Sequence, residues 1–150
     1  MDRRILALLA VAVLVASMSA VSAYDDGFLK TKDIKVGDMH FKIPKKFKEN
    51  KDARVNGEYL DIGGVGFLTW SKSYDDKHGE FISIAVSSID GVEITNDIVK
   101  LIGSGKKKIN GVKGYEYDIE PFQGFAYAKK GKLITITATH EDVLDTVVAK

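Results

Sequence analysis

Between Phe41 and Thr139 apolar residues recur mostly at every second position, the spacing of strands with one packed face. Phe41-Lys42-Ile43-Pro44 alternates and stops at a residue that cannot donate to a sheet ladder. In Val65–Ser73, Leu68 and Trp70 fall on one face, with Phe67, Thr69 and Ser71 on the other. Ile82, Ile84 and Val86 share a face within Phe81–Ser87. Tyr115, Tyr117 and Ile119 alternate with Glu116, Asp118 and Glu120. Phe122–Lys129 and Leu133–Thr139 are joined at Lys130-Gly131, a hairpin signal. In the last strand Ile134, Ile136 and Ala138 are expected to face inward and Thr135, Thr137 and Thr139 outward. Asn56-Gly57 predicts a turn ahead of Glu58–Ile62, and Gly63-Gly64-Val65-Gly66 breaks the chain again. Ser73–Gly79 reads as a polar connection, and Lys45–Asn56 as a charged loop or short helical turn.

Helical spacing replaces alternation twice. Thr95 is placed to cap a helix in which Ile98, Leu101 and Ile102 share a face, ended by Gly103 or Gly105. Thr139-His140-Glu141-Asp142 resembles a capping box, followed by a stripe of Val143, Leu144, Val147 and Val148. The expected fold is α+β, an antiparallel sheet with one internal and one C-terminal helix packed on it.

The first residues read as an address. Arg3 and Arg4 precede the apolar run Ile5–Ala16, and small residues follow up to Val21-Ser22-Ala23. This is the layout of a secretory signal peptide cleaved after Ala23, its twelve-residue core short of the roughly 20 residues of a membrane span. The organisation read from the sequence is a signal peptide at 1–23, an N-terminal arm or first strand at 24–39, and one α+β domain at 40–150. The expected location is secreted or extracytoplasmic, with no stable membrane span after cleavage.

Composition narrows the chemistry. The chain has 150 residues, 22 basic and 21 acidic, and no Cys. Lacking Cys, it holds no disulfide, thiol nucleophile or Cys-ligated metal. Without residues 1–23 it carries 20 basic and 20 acidic residues, a balance that argues against nucleic-acid binding by phosphate neutralisation.

Phe41-Lys42-Ile43-Pro44 with Phe47, then Lys108-Ile109-Asn110-Gly111, Gly114-Tyr115-Glu116-Tyr117 and Gly131-Lys132-Leu133-Ile134, resemble the strand and turn sequences of PsbP/Mog1-like small secreted domains. The pattern also resembles small exported proteins of unknown function from methanogenic archaea. The resemblance spans roughly residues 36–148 and implies a layered α/β accessory or binding module with no shared active site.

No catalytic signature accompanies these elements. Gly103-Ser104-Gly105-Lys106 fails the Walker A pattern because Lys100 and Lys107 stand where Gly and Ser/Thr belong. Gly63-x-x-Gly66 leads into a strand and is too short for a dinucleotide fingerprint. No G-x-S-x-G elbow and no calcium loop occurs. Asp75-Asp76-Lys77-His78 and His140-Glu141-Asp142 bring acids near imidazoles without metal-ligand spacing, and read as a polar loop and a helix start. His40 lies near Asp38 and could join either group. Glu116, Asp118 and Glu120 sit about 7 Å apart in steps of two, near glycosidase separations. Their simpler reading is a wet strand face balanced by Lys129, Lys130 and Lys132.

The remaining candidates are ligand-binding. Lys45, Lys46 and Lys48 form one basic run and Lys106, Lys107 and Lys108 another, suited to an anionic polymer, a lipid surface or an acidic partner. Phe125, opposite in strand parity to Phe122, is the candidate exposed aromatic. The sequence thus favours an exported, non-catalytic binding or accessory domain for an unidentified cell-envelope or extracellular partner, with no catalytic residue, metal or cofactor. The alternative is a small extracytoplasmic hydrolase or metal-dependent enzyme using His78, His140 or the Glu116–Glu120 stripe. Self-association through an uncovered edge strand is a third.

Overall fold

The computed structural model describes residues 30–62 and 64–147. The expected signal peptide and the first part of the arm lie outside the described residues. The described chain runs through β1 (Thr31–Val36), β2 (Met39–Pro44), β3 (Lys48–Glu49), a 3-10 turn at Lys51–Ala53, β4 (Val55–Ile62), β5 (Val65–Asp75) and β6 (Phe81–Ile89). It continues through α1 (Asn96–Val99), β7 (Gly105–Ile109), β8 (Val112–Ile119), β9 (Phe122–Lys129), β10 (Lys132–Ala138) and α2 (Glu141–Val147). The fold is α+β with strands dominant.

Eight strands form one antiparallel sheet in the order β3-β5-β6-β10-β9-β8-β7, with β4 pairing the same flank of β5 as β3. The central strand β10 pairs β6 and β9 with the apolar register Ile134–Val86, Ile136–Ile84 and Ile136–Phe125. β1 and β2 make a separate hairpin. That hairpin and α2 cover one sheet face, where Phe41, Ile43 and Phe47 meet Ile82, Ile84, Val86, Phe125, Ile134 and Leu144. On the other face α1 and its flanks bring Ile94, Val99 and Ile102 to Phe67, Tyr117, Ala126 and Leu133.

Strand alternation places the inward residues of β6 and β10 as the sequence predicts, yet the opposite face is not wet. In β5 the face of Phe67, Thr69 and Ser71 is buried, while Leu68 and Trp70 are only half-buried. Thr135, Thr137 and Thr139 are buried, as are Thr69, Ser71, Ser73, Ser83 and Ser87. Small hydroxyls tolerate burial here because many bond laterally between strands. Thr69 Oγ1 lies 3.1 Å from Ser87 Oγ, Ser73 Oγ donates to Ser83 Oγ at 3.3 Å, and the Tyr117 hydroxyl lies 2.9 Å from Thr137 Oγ1.

Other expectations are corrected. Asn56-Gly57 is not a turn but a bulge inside β4, where the register against β5 shifts between Asn56 and Glu58. Gly57 adopts φ +69°, and a Cβ there would stand 3.0 Å from the Trp70 indole, so side-chain space and backbone both demand glycine. The internal helix is a single turn, Asn96–Val99, in which Val99 is buried; beyond its end Ile102 is buried and Leu101 exposed. Thr95 occupies the N-cap without a side-chain cap bond. β5 extends to Asp75, with Ser73 and Tyr74 buried where a polar connection is expected. Within Lys45–Asn56, Phe47 is wholly buried and anchors the segment.

Candidate functional site

The β7–β8 hairpin closes the sheet at one edge. Asn110 (φ +50°) and Gly111 (φ +80°) form a two-residue connection with both residues left-handed, the conformation that suits the twist of a tight hairpin. Ile109 then faces Val112, Lys108 faces Lys113, Lys107 faces Gly114 and Lys106 faces Tyr115. In such a hairpin the pair flanking the turn is hydrogen-bonded and the next is not, so Lys108 and Lys113 form a non-hydrogen-bonded pair. Their backbone groups point away from each other's strand. Asn96 of α1 confirms the alternation on the β8 side: its Nδ2 donates to the Lys113 carbonyl at 3.1 Å while its Oδ1 accepts from Ala128 N–H at 2.9 Å.

Alternation splits the run Lys106-Lys107-Lys108. Lys107 points to the α2 face, where its ammonium pairs with Glu141 and lies 3.6 Å from Glu116. The hydrogen bond to Glu141 holds Lys107 charged above its ordinary range. This contact pins α2 to β7, and Asn110 Nδ2 adds a bond to the Asp145 carbonyl. Lys106 and Lys108 project to the opposite face beside Lys113, and all three are exposed. No ion pair joins any of them to another described residue. Like charges in a non-hydrogen-bonded pair have Cα atoms about 4.5 Å apart, the closest cross-strand position. Tyr115, half-buried next to Lys113 along the same face, supplies an aromatic ring to the cluster.

The second basic run lies at the other edge. Lys45, Lys46 and Lys48 flank the β2–β3 turn, and β3 is six strand positions from β7, roughly 30 Å at ordinary spacing. Lys46 Nζ lies 3.1 Å from Asp76 Oδ2 and 5.5 Å from the centre of the Phe47 ring. Lys45 and Lys48 are exposed. The two runs therefore do not form one surface. Phe125 is a correction: it has no exposed area and sits in the core with its ring 5.6 Å from that of Tyr127. Strand parity turns it toward the hairpin β1–β2 and α2, while Phe122 on the other face is partly exposed and 5.6 Å from Phe81. The expected balance of the acidic stripe by Lys129, Lys130 and Lys132 is also revised, because Glu116 meets Lys107 and Lys132 Nζ bonds Asp38 at 2.9 Å.

A buried acid–imidazole pair is the other chemical cluster. Glu80, at the end of the β5–β6 loop, is wholly buried. Its Oε2 accepts from Thr139 Oγ1 at 2.5 Å and its Oε1 lies 3.3 Å from His140 Nε2. Thr139 Oγ1 also accepts from Phe81 N–H, so this hydroxyl ties β10 to the loop instead of capping α2. Asp76 Oδ1 accepts from the His78 and Glu80 N–H groups at 2.7 and 2.9 Å, and its Oδ2 faces Lys46 ionically without hydrogen-bond geometry. Burial, then the Asp76 charge, pushes the neighbouring Asp75 carboxyl up. His78 and His40 are exposed. Among the described residues no group of three or more acidic or histidine side chains is arranged to hold a metal.

Sequence reading missed Lys113, Tyr115 and Glu80 as members of these clusters. A signal for the first two was present: Asn110-Gly111 as a two-residue turn would have set Lys108 opposite Lys113 and Lys106 opposite Tyr115. No protein-family model, curated protein or solved structure matches the chain, so the geometry of these clusters carries the functional reading.

Proposed function

We propose that this protein is an exported, non-catalytic binding module that holds an anionic ligand on the basic face of the β7–β8 hairpin. The observation that carries this reading is the close grouping of Lys106, Lys108 and Lys113 on one face beside Tyr115, with no acidic described residue paired to them. An ammonium cluster on a rigid strand pair is preorganised for negative charge, whereas its own electrostatics disfavour it when empty. The resemblance to PsbP/Mog1-like domains points to the same accessory class.

Titration with long-chain polyphosphate at increasing salt tests the proposal. Binding that weakens steeply with salt and is lost in Lys106→Gln/Lys108→Gln/Lys113→Gln supports it. Equal binding by that variant and the parent refutes it. The Glu80–His140 pair favours the second reading, a small hydrolase, because a buried carboxylate can orient an imidazole. That reading requires a hydrolytic activity that disappears in His140→Ala while the fold persists.

A further inference from the structure

The edge beside the basic face has a second property, and it concerns the backbone. β7 ends the sheet order and pairs only with β8 among the described strands. Because Lys107 and Gly114 form a hydrogen-bonded pair by alternation from the turn, the N–H and C=O groups of Lys106 and Lys108 point outward from the sheet. The outward backbone groups and the unpaired ammonium groups therefore belong to the same two residues. An edge of this kind is a template for another strand. Lys106 and Lys108, unpaired on one face, repel a second lysine-rich edge, so the residues that bar pairing between identical edges select a strand of opposite charge.

We infer that β7 receives an acidic extended peptide segment of a partner protein as an added strand. Its main chain bonds the outward groups of Lys106 and Lys108, and its acidic side chains at alternate positions meet Lys106, Lys108 and Lys113. This is β-strand addition, in which backbone bonds supply affinity and alternate side chains supply specificity. The inference rests on the proposed anion-binding face and adds the partner's chemistry and conformation.

The test uses a blocked peptide of alternating Glu and Val, the same peptide N-methylated at every second residue on its pairing edge, and polyphosphate. The expected result is that the unmodified peptide binds and slows hydrogen exchange at the Lys106 and Lys108 amides. N-methylation should weaken it about tenfold or more through lost backbone bonds, and polyphosphate should leave those amides unprotected. Lys106→Pro should lose more peptide affinity than Lys106→Gln, because proline removes the outward N–H while an edge position tolerates it. Unfolding curves for both variants establish that each remains folded. Equal binding of the two peptides overturns strand addition while leaving the anion-binding face standing. Failure of polyphosphate and peptide alike overturns both. Protection of the two amides that rises with protein concentration alone assigns the edge to a second copy of this chain and overturns the acidic partner.

Discussion

Lys108 and Lys113 stand directly opposite one another across β7 and β8, both exposed and both cationic, in the cross-strand position where side chains approach most closely. Such a pair lowers stability, since like charges facing across a ladder repel. Lys113→Glu replaces the repulsion by attraction. It should raise folding stability by a few tenths to about 1 kcal/mol at low salt and weaken polyphosphate binding. Thermal unfolding and titration of the same samples check both halves. A stability gain with unchanged binding would remove Lys113 from the site.

Glu80 is the converse case, a charged residue kept in place by structure. Its carboxylate joins Thr139, just past β10, and His140 at the start of α2 to the β5–β6 loop. Glu80→Ala leaves the buried Thr139 hydroxyl without that acceptor and should cost roughly 1–3 kcal/mol or more. Denaturant unfolding measures the loss, with Glu80→Gln expected to lose less. Polyphosphate affinity of the folded Glu80→Ala protein should match the parent, because the basic face belongs to a different hairpin.

The strands were legible wherever large apolar residues alternate with small or polar ones, as in Ile82–Val86 and Tyr115–Ile119, because strand geometry sends every second side chain to the same face. The second face was not legible. Its Thr135, Thr137, Ser83 and Ser87 look solvent-facing by composition, and only lateral hydroxyl bonds between strands make their burial tolerable. The bulge at Gly57 was hidden for a related reason: the residue that requires it is Trp70, one strand away. The candidate site was half legible. The lysine run was visible, but its division into Lys107 on one face and Lys106 and Lys108 on the other follows from β7 being a strand, which lysine-rich sequence does not announce.

Phe125 separates a ligand platform from a core residue. Its ring is fully buried on the sheet face covered by the β1–β2 hairpin and α2 and packs against Tyr127. Phe125→Ala should cost about 3–5 kcal/mol, the range for emptying an aromatic site in a packed core. The measurement is the denaturant midpoint together with its slope. A loss below about 1 kcal/mol would mean that the ring is not part of the core.

Acid sensitivity should centre on Glu49. Arg54 Nε and Nη2 each donate at 2.6 Å to its two carboxylate oxygens, and these bonds hold Glu49 below the ordinary carboxylate range. A carboxyl whose folded pKa is lowered adds stability above its unfolded value and loses it as pH falls through the folded one. Asp38, lowered chiefly by its hydrogen bond to Lys132, acts in the same direction, though its exposure lets solvent screen the effect. Asp75 and Asp145 are raised, first by burial and then by neighbouring acids, so protonating them favours the folded state and offsets part of the loss. Stability should therefore decline below about pH 4.5, where unfolded carboxylates begin to protonate. Glu49→Gln removes the lowered member held by two Arg54 bonds, so its acid limb should be shallower than the parent's while its stability at neutral pH is lower. Denaturant midpoints across the acid range test this, and parallel limbs would show that the Arg54 pair contributes nothing to folding.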